Sequence, residues 1–536
     1  MIHLHVHTNF SLLQGTLRIE EIIKHCTDNN IKKIAITDTN AMNALIQFSK
    51  KAKENNIDPI LGTCITDSND EKKYVLLLAK NNDGYSDICK IITQRRLNED
   101  FSLNSILKKY WKDLFIITPF INLLEISNSK NLLYAEIIVT TLNKKSALKT
   151  YDYAIKNDIP IVATNPVYFF NQDDYELHKL VSAIRLNKTF ETLSENELVD
   201  KEFYFKSENE LKKTFNKIPE AINNSDIIAS QCSVNLELGE NKFPKYPYRE
   251  IEDPYSLLNK LTHNSLEKKY KIVTKNIIDR LNDELNVIQQ SGFTEYFLIV
   301  WDLVNEAKKR GMMLIGRGSA GNSLVAYLLG FTQIDPIKHN LFFERFMNKA
   351  RKSPPDIDLD FSWKERDEIV KYVFDKYGYD RVAMISTTVT FRARSAFRET
   401  AKAFGISERE ISQYSKKIPW TNANNLPNVT EKFPESRGLG FNKEPWKSLV
   451  NLAAKIANFP RHLSIHPSGI VITPNKITEY CALEYAKNKG LGLIITQPDM
   501  YSIEDLGLVK IDLLSQRSLG VLRDTMDVLN KRTRKN

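Results

Sequence analysis

No stretch of this 536-residue chain is apolar over anything near the ~20 residues that a bilayer-spanning helix needs. The opening MIHLHVHTNF also lacks the charged-then-apolar order of a secretory signal, so the reading starts from a cytoplasmic protein with no membrane partner. Cysteine is sparse and scattered. Cys26, Cys64, Cys89, Cys232 and Cys481 form no CxxC pair, which excludes a disulfide framework and a zinc ribbon and leaves thiols expected to be reduced and packed. Internal repeats and low-complexity tracts are absent. Neither sign of charge dominates: a formal +9 spread over this length is compatible with a polyanionic partner and does not establish one. What is present, 42% hydrophobic and 26% charged residues, is the composition of a globular protein long enough for about three domains.

From residue 1 to about 225, β-rich runs alternate with amphipathic segments. KKIAITD (32–38), KYVLLLA (73–79), LFIITPF (114–120), AEIIVTT (135–141) and IPIVATN (159–165) read as buried strands, with helical patterns such as 43–56 between them. That order predicts an α/β domain, plausibly a barrel. Residues 236–256, with Pro244, Pro247 and Pro254 and no periodicity, read as a linker or extended crossing segment. A helix is expected near 276–290, with Ile277, Ile278, Leu281, Leu285 and Ile288 as its apolar stripe. A mostly helical, basic region follows from about 390 to 467.

The densest chemistry lies in PPDIDLDF (354–361). On a strand, Asp356, Asp358 and Asp360 share one face while Ile357, Leu359 and Phe361 pack behind them. Like charges so placed raise one another's pKa values, so either the strand is a solvated edge or a cation stands in front of it. Oxygen ligands on a rigid element suit Mg²⁺. In LIGRGSAGNSLVAYLLG (314–330) a glycine-rich turn precedes a helical run. It is either an ordinary cap or a phosphate cradle with Arg317 and Ser319 as further donors, and the missing Lys-Ser/Thr pair excludes a Walker A loop. Arg345, between Phe343 and Phe346, is a snorkelling surface residue or a guanidinium aimed at an anion. GLVKIDLLS (507–515) adds an apolar strand with Lys510 and Asp512 on one face, in isolation a salt bridge. Together these are the parts of a two-metal phosphoryl or nucleotidyl transfer site.

GRGSAGNSLVAY, FFERF, PPDIDLDF, RHLSIHPSGIVI (461–472) and GLVKIDLLSQRSL, in this order, resemble the C-family replicative polymerases, the bacterial DNA polymerase III alpha subunits. HLHVHTNFSLLQGTL (3–17) is similar to the start of that family's N-terminal PHP domain. The resemblance implies an α/β multidomain chain: a PHP-type barrel over 1–225, a polymerase β-like nucleotidyltransferase palm over 226–388 and 468–536, and a helical thumb over 389–467. It implies Asp356, Asp358 and Asp512 as catalytic ligands of two Mg²⁺ ions, with Asp360 in support. Arg317, Gly318, Ser319, Arg345 and Lys510 would contact the incoming dNTP. Arg392, Arg394, Arg398 and Lys402 would meet primer-template DNA, unless they line a solvated helix face. The implied partners are a sliding clamp, a proofreading exonuclease and a clamp loader.

Two departures qualify the resemblance. His5, His7 and Asp38 survive at the PHP metal site, but Gln14, Thr39, Cys64, Tyr74, Pro166 and Tyr168 stand where the family pattern has ligands. The expectation is therefore a structural PHP domain with no bound metal and no phosphoesterase activity. The second departure is length. The chain stops soon after Asp512, and the expectation is a portion lacking fingers and the clamp-binding region. A PHP-type metallophosphoesterase and a non-catalytic subunit that only binds DNA or partners are the rival readings.

Overall fold

The computed structural model describes residues 1–247, 253–348, 354–486 and 493–533. The N-terminal unit is built on a six-stranded sheet in sequential order: β1 (Lys33–Ile36), β2 (Asp58–Thr66), β3 (Tyr74–Ala79), β4 (Leu114–Thr118), β5 (Leu133–Ile137) and β6 (Ile161–Ala163). These strands lack alternation because both faces are covered. Val75 and Leu77 pack under the outer helices, whereas Leu76 and Leu78 face an inner cluster with Leu4, Ile60, Phe115 and Val162. Residues 3–7 close the sheet. Ala35 N donates to His3 O (3.0 Å) and Thr37 N to Val6 O (2.8 Å) on one side, while Val167 N donates to His5 O and His7 N to Val167 O (both 2.9 Å) on the other. The expected barrel is therefore present, and its closure sets His5 and His7 side by side.

Some limits differ from the sequence reading. β2 carries Pro59 and Gly62, residues that punctuate strands, and apolar patterning did not select it. The run 135–141 leaves the sheet after Ile137. The helix expected over 43–56 spans Leu45–Glu54. Of the linker proposed for 236–256, residues 236–247 are irregular with a turn at 238–239, 248–252 lie outside the described residues, and Pro254 already begins the helix Pro254–Lys269. The linker is pinned by Gly239 N to Asp505 O (2.8 Å) and Lys242 N to Gly507 O (2.7 Å).

The second sheet has seven strands in the order β11-β12-β9-β10-β13-β8-β7. They are β7 (Leu314–Arg317), β8 (Asp358–Ser362), β9 (Val382–Thr390), β10 (Pro460–Ile472), β11 (Leu483–Tyr485), β12 (Ile494–Asp499) and β13 (Lys510–Gln516). β8 and β13 run parallel although some 150 residues separate them, and β10 and β7 flank the pair antiparallel. Apolar residues of β8 and β13, including Leu359, Phe361, Ile511 and Leu513, are buried with the helices Lys275–Gln290 and Thr294–Lys309. Ile277, Leu281, Leu285 and Ile288 lie on the expected stripe; Ile278 is instead 39% exposed.

The helical region places Ala393–Ala403, Glu408–Lys416 and Trp446–Lys455 around Phe397, Phe441 and Leu449, a core that also takes in Leu180 and Val181 from the helix Tyr175–Leu186. β10 begins at Pro460, so the thumb boundary expected at 467 falls inside a central strand of the second sheet.

Candidate active site

Asp358 and Asp512 face each other in register across the parallel β8 and β13 pair, and Arg317 is the antiparallel partner of Asp358 on β7. The alternation in 354–361 works as read, since Ile357, Leu359 and Phe361 are buried behind the carboxylates. The strand itself starts at Asp358. Asp356 lies just before it, on a loop whose Pro355 carbonyl accepts a hydrogen bond from the buried Tyr296 hydroxyl (3.1 Å).

The electrostatics are those of crowded carboxylates only partly compensated. Burial, with the charges of Asp512 and Asp356 adding to it, raises the Asp358 pKa above the usual carboxylate range, and Arg317 and Lys510 oppose the shift. Lys510 Nζ is 3.0 Å from Asp512 Oδ2. Burial works against the Lys510 charge, but the hydrogen bond to Asp512 and the nearby Glu504 and Asp356 hold its pKa above the ordinary lysine value. Arg317 Nε lies 3.4 Å from Asp360 Oδ1 and 3.8 Å from Asp358 Oδ2. Asp360 is buried and also accepts from Gln516 Nε2 (3.3 Å), so its carboxylate holds Arg317 and Gln516 within the protein.

Gly318 has φ +75°, and a side chain there would point to within 3.9 Å of an Asp358 carboxylate oxygen; a residue with a free left-handed conformation fits this close turn. Ser319 follows in the short turn Gly318–Asn322, against which Phe343–Arg345 packs, leaving the Arg345 side chain exposed. One expectation needs correction. The helix after this turn, Leu324–Leu329, does not present its N-terminus to a phosphate. The buried Glu284 carboxylate accepts from Leu324 N (3.0 Å), Val325 N (3.0 Å) and Ser323 Oγ (2.7 Å), so those donors are already used. Glu284 is paired with Arg280 (2.7 Å), whose other nitrogen reaches the carbonyls of Asn322 (3.1 Å) and Leu341 (3.2 Å). One ion pair thus fixes both the glycine turn and the start of the Arg345 segment.

Several residues at the site were not singled out from sequence. Ser468 Oγ donates to Asp512 Oδ1 (2.8 Å). His466 sits where β10 loses register between Ile465 and Ile470, and its Nδ1 accepts from Gly469 N (2.8 Å), so the bulge aims Ser468 at Asp512. Arg366, buried, binds the carbonyls of Leu513 (3.0 Å) and Pro467 (3.2 Å) and ties the two strands beside Asp512. Glu504 has its pKa raised by burial, with Lys510 opposing and Asp356 and Asp512 adding to the rise, which places a further carboxylate at the rim. His466 and Ser468 lie in the quoted RHLSIHPSGIVI; nothing in the sequence pattern marks Arg366 or Glu504.

Of the four expected DNA-contacting cations, Arg392 and Arg394 are exposed, and Arg394 Nε donates to the Ile418 carbonyl. Arg398 is ion-paired with Glu408, and Lys402 is 3.6 Å from Glu399, so both already have carboxylate partners.

At the other expected centre, His5 Nδ1 is 2.8 Å from Glu136 Oε1, and Tyr74 OH donates to Glu136 Oε2 (2.8 Å). Tyr168 stacks on His7 with ring centroids 4.1 Å apart. Asp38 accepts from Thr8 N, Thr8 Oγ1 and Ser11 Oγ (2.6–2.7 Å); burial nevertheless raises its pKa to about 6, against those hydrogen bonds.

The chain thus joins an α/β barrel that carries a histidine pair to a sheet with carboxylates on neighbouring parallel strands. Residues 3–123 match the PHP domain family, and residues 256–515 match the family described as Bacterial DNA polymerase III alpha NTPase domain. The chain is 32% identical to the DNA polymerase III subunit alpha of Bacillus subtilis, over 99% of this chain and 49% of that one. It is 31% identical to the error-prone DNA polymerase of Symbiobacterium thermophilum, over 98% of this chain and 52% of that one. The chain belongs to the bacterial DNA polymerase III alpha family, and it spans about half the length of the curated relatives it matches. The barrel described above extends past the matched PHP residues, through β6.

Proposed function

We propose that this chain carries the nucleotidyl-transfer centre of a DNA-directed DNA polymerase, adding dNMP to a primer 3′-hydroxyl. The observation that carries the reading is the register of Asp358 against Asp512, with the Asp358 carboxyl held above its usual range by burial and by the neighbouring carboxylates of Asp512 and Asp356. Such a pair calls for a cation, and an oxygen-only donor set suits Mg²⁺.

Asp356, Asp358 and Asp512 would hold two Mg²⁺ ions. When bound, these supply a lowered pKa for the attacking hydroxyl and charge neutralisation for the leaving pyrophosphate. The chain's own residues do the rest. Arg317, Lys510 and Arg345 bind the triphosphate oxygens, the Gly318 and Ser319 turn orients them, and Ser468 keeps the Asp512 carboxylate in place. Asp360 positions Arg317 and is not a ligand in this reading. Arg392 and Arg394 contact the primer-template backbone; Arg398 and Lys402 would do so only by leaving Glu408 and Glu399. The segments 1–225, 226–388 with 468–536, and 389–467 serve as PHP domain, palm and thumb, with the palm also taking β10 from Pro460. Sliding clamp, proofreading exonuclease and clamp loader are the partners of the proposed replicase. A cytoplasmic location accords with the lack, among the described residues, of any helix long and apolar enough to cross a membrane.

Primer extension with Mg²⁺ and dNTPs tests the reading against its rivals. Extension lost in Asp358→Asn and kept in His5→Ala supports it. Phosphoesterase activity lost in His5→Ala would favour the metallophosphoesterase, against which Gln14, Thr39 and Tyr74 already weigh. DNA binding without extension under any condition would favour a binding-only subunit.

A further inference from the structure

Two imidazoles in the barrel have a lone pair with nowhere to go. His5 and His7 are 2% and 0% exposed, and the Nε2 atom of each is buried without a hydrogen-bond partner. The hydrogen bonds around them fix where their protons sit. Glu136 also accepts from Tyr74 OH and Thr164 Oγ1 (2.7 Å), so as an acceptor-only carboxylate it takes the His5 Nδ1 proton. Ser11 Oγ spends its own proton on Asp38 Oδ1 at 2.7 Å and can therefore only accept from His7 Nδ1, 3.0 Å away. Both rings carry a proton on Nδ1, so in the neutral tautomer it is Nε2 of each that offers a lone pair.

The third atom at this spot is the sulfur of Cys64, 3% exposed. It, an imidazole nitrogen of His5 and one of His7 all lie within 4.8 Å of one another. A thiol has one proton and can satisfy one of the two nitrogens. Burying the other unpaired carries the full desolvation cost of a polar atom. A single cation would engage all three donors. Imidazole and thiolate together select a borderline-soft divalent ion and not Mg²⁺.

We propose that His5, His7 and Cys64 form a mononuclear site for a thiophilic divalent metal, Zn²⁺ in the first instance, with a role in holding the barrel closed. This differs from a multinuclear, carboxylate-rich centre: Cys64 stands where the sequence reading counted a lost ligand, and Gln14, Thr39 and Tyr74 cannot serve a second or third ion. Glu136 and the Ser11 hydroxyl behind the two Nδ1 atoms are the outer partners that orient ligating histidines. Binding replaces the S–H bond of Cys64 by a metal–sulfur bond and releases one proton to solvent per ion. The cation then faces one thiolate and the Glu136 carboxylate, so the buried group is close to neutral. The three ligands come from the closing segment and from β2, so the ion would staple the barrel at its seam.

The experiment uses the full chain with Asp358→Asn and Asp512→Asn to silence the palm, loaded with Zn²⁺ for stoichiometry and Co²⁺ for spectroscopy. The expected result is one Zn²⁺ per chain, a thiolate-to-Co²⁺ charge-transfer band, and a Zn²⁺-dependent rise in melting temperature. Cys64→Ser, nearly isosteric, should lose the band while keeping its circular dichroism, and Glu136→Gln should weaken binding by about 10–100-fold. A spectrum without the thiolate band from the chain that keeps Cys64, a stoichiometry of two or three, or binding unchanged in Cys64→Ser would each overturn the proposal.

Discussion

Replacing Asp358 with asparagine removes one charge from a wall on which Asp356, Asp360, Asp512 and Glu504 also stand. Because the fold holds the Asp358 carboxyl above its unfolded range, it favours the protonated form. That contribution to stability is full below the unfolded pKa and is lost as pH rises through the folded one. Asp358→Asn should therefore raise the melting temperature of the ligand-free protein at neutral pH, with the gain shrinking on acidification; a thermal melt series across pH checks this. The same substitution is expected to slow nucleotide addition by about 1000-fold, equivalent to several kcal/mol of transition-state stabilisation. Asp360→Asn, which frees Arg317 without removing a proposed ligand, should cost far less, about 10-fold, in steady-state kinetics.

At the scale of elements, the stability of the site rests on how turns and strand ends are fastened. Glu284 serves three donors at the head of Leu324–Leu329 and pairs with Arg280, so Glu284→Ala leaves an uncompensated guanidinium and orphaned amides. A loss of about 3–5 kcal/mol is expected, read from the urea midpoint, together with a raised KM for dNTP as the glycine turn loosens. Gly507 has φ +74°, and a methyl group there would fall 1.7 Å from the Glu240 carbonyl oxygen. Gly507→Ala should cost at least about 1–3 kcal/mol and speed hydrogen exchange of Gly239 and Lys242 amides. Glu284 also shows what the sequence could have yielded. It sits three residues after Leu281 and four before Ile288, on the apolar stripe, and a charge in that position signals a buried partner. The alternation of 354–361 was legible because strand periodicity is local. That Asp512 lies opposite Asp358, and that Ser468 and Arg366 secure it, was not, since a register between strands 150 residues apart is a property of the sheet.

Across the whole molecule, the barrel and the second sheet share one core. Met42, Cys89, Ile91 and Phe101 pack in the same cluster as Ala383, Ile385, Cys481, Leu483, Ile503 and Leu506. The Gln497 amide crosses the same boundary, accepting from Met42 N (3.0 Å) and donating to Asn40 O (3.2 Å). The barrel and the second sheet are expected to unfold in one cooperative transition, with tryptophan fluorescence and circular dichroism giving coincident urea curves; two separated transitions would show independent domains. Sequence composition could mark the two units but not this joint, because the residues that make it are ordinary apolar side chains. The joint packs the barrel against the sheet that carries Asp358 and Asp512. The most direct test of that centre is single-turnover incorporation of one dNMP on a primer-template in Mg²⁺, comparing wild type with Asp358→Asn and Asp512→Asn. The account expects incorporation by the wild type and its loss, by about 1000-fold, in each variant with primer-template binding retained. Incorporation that persists in either variant would contradict it.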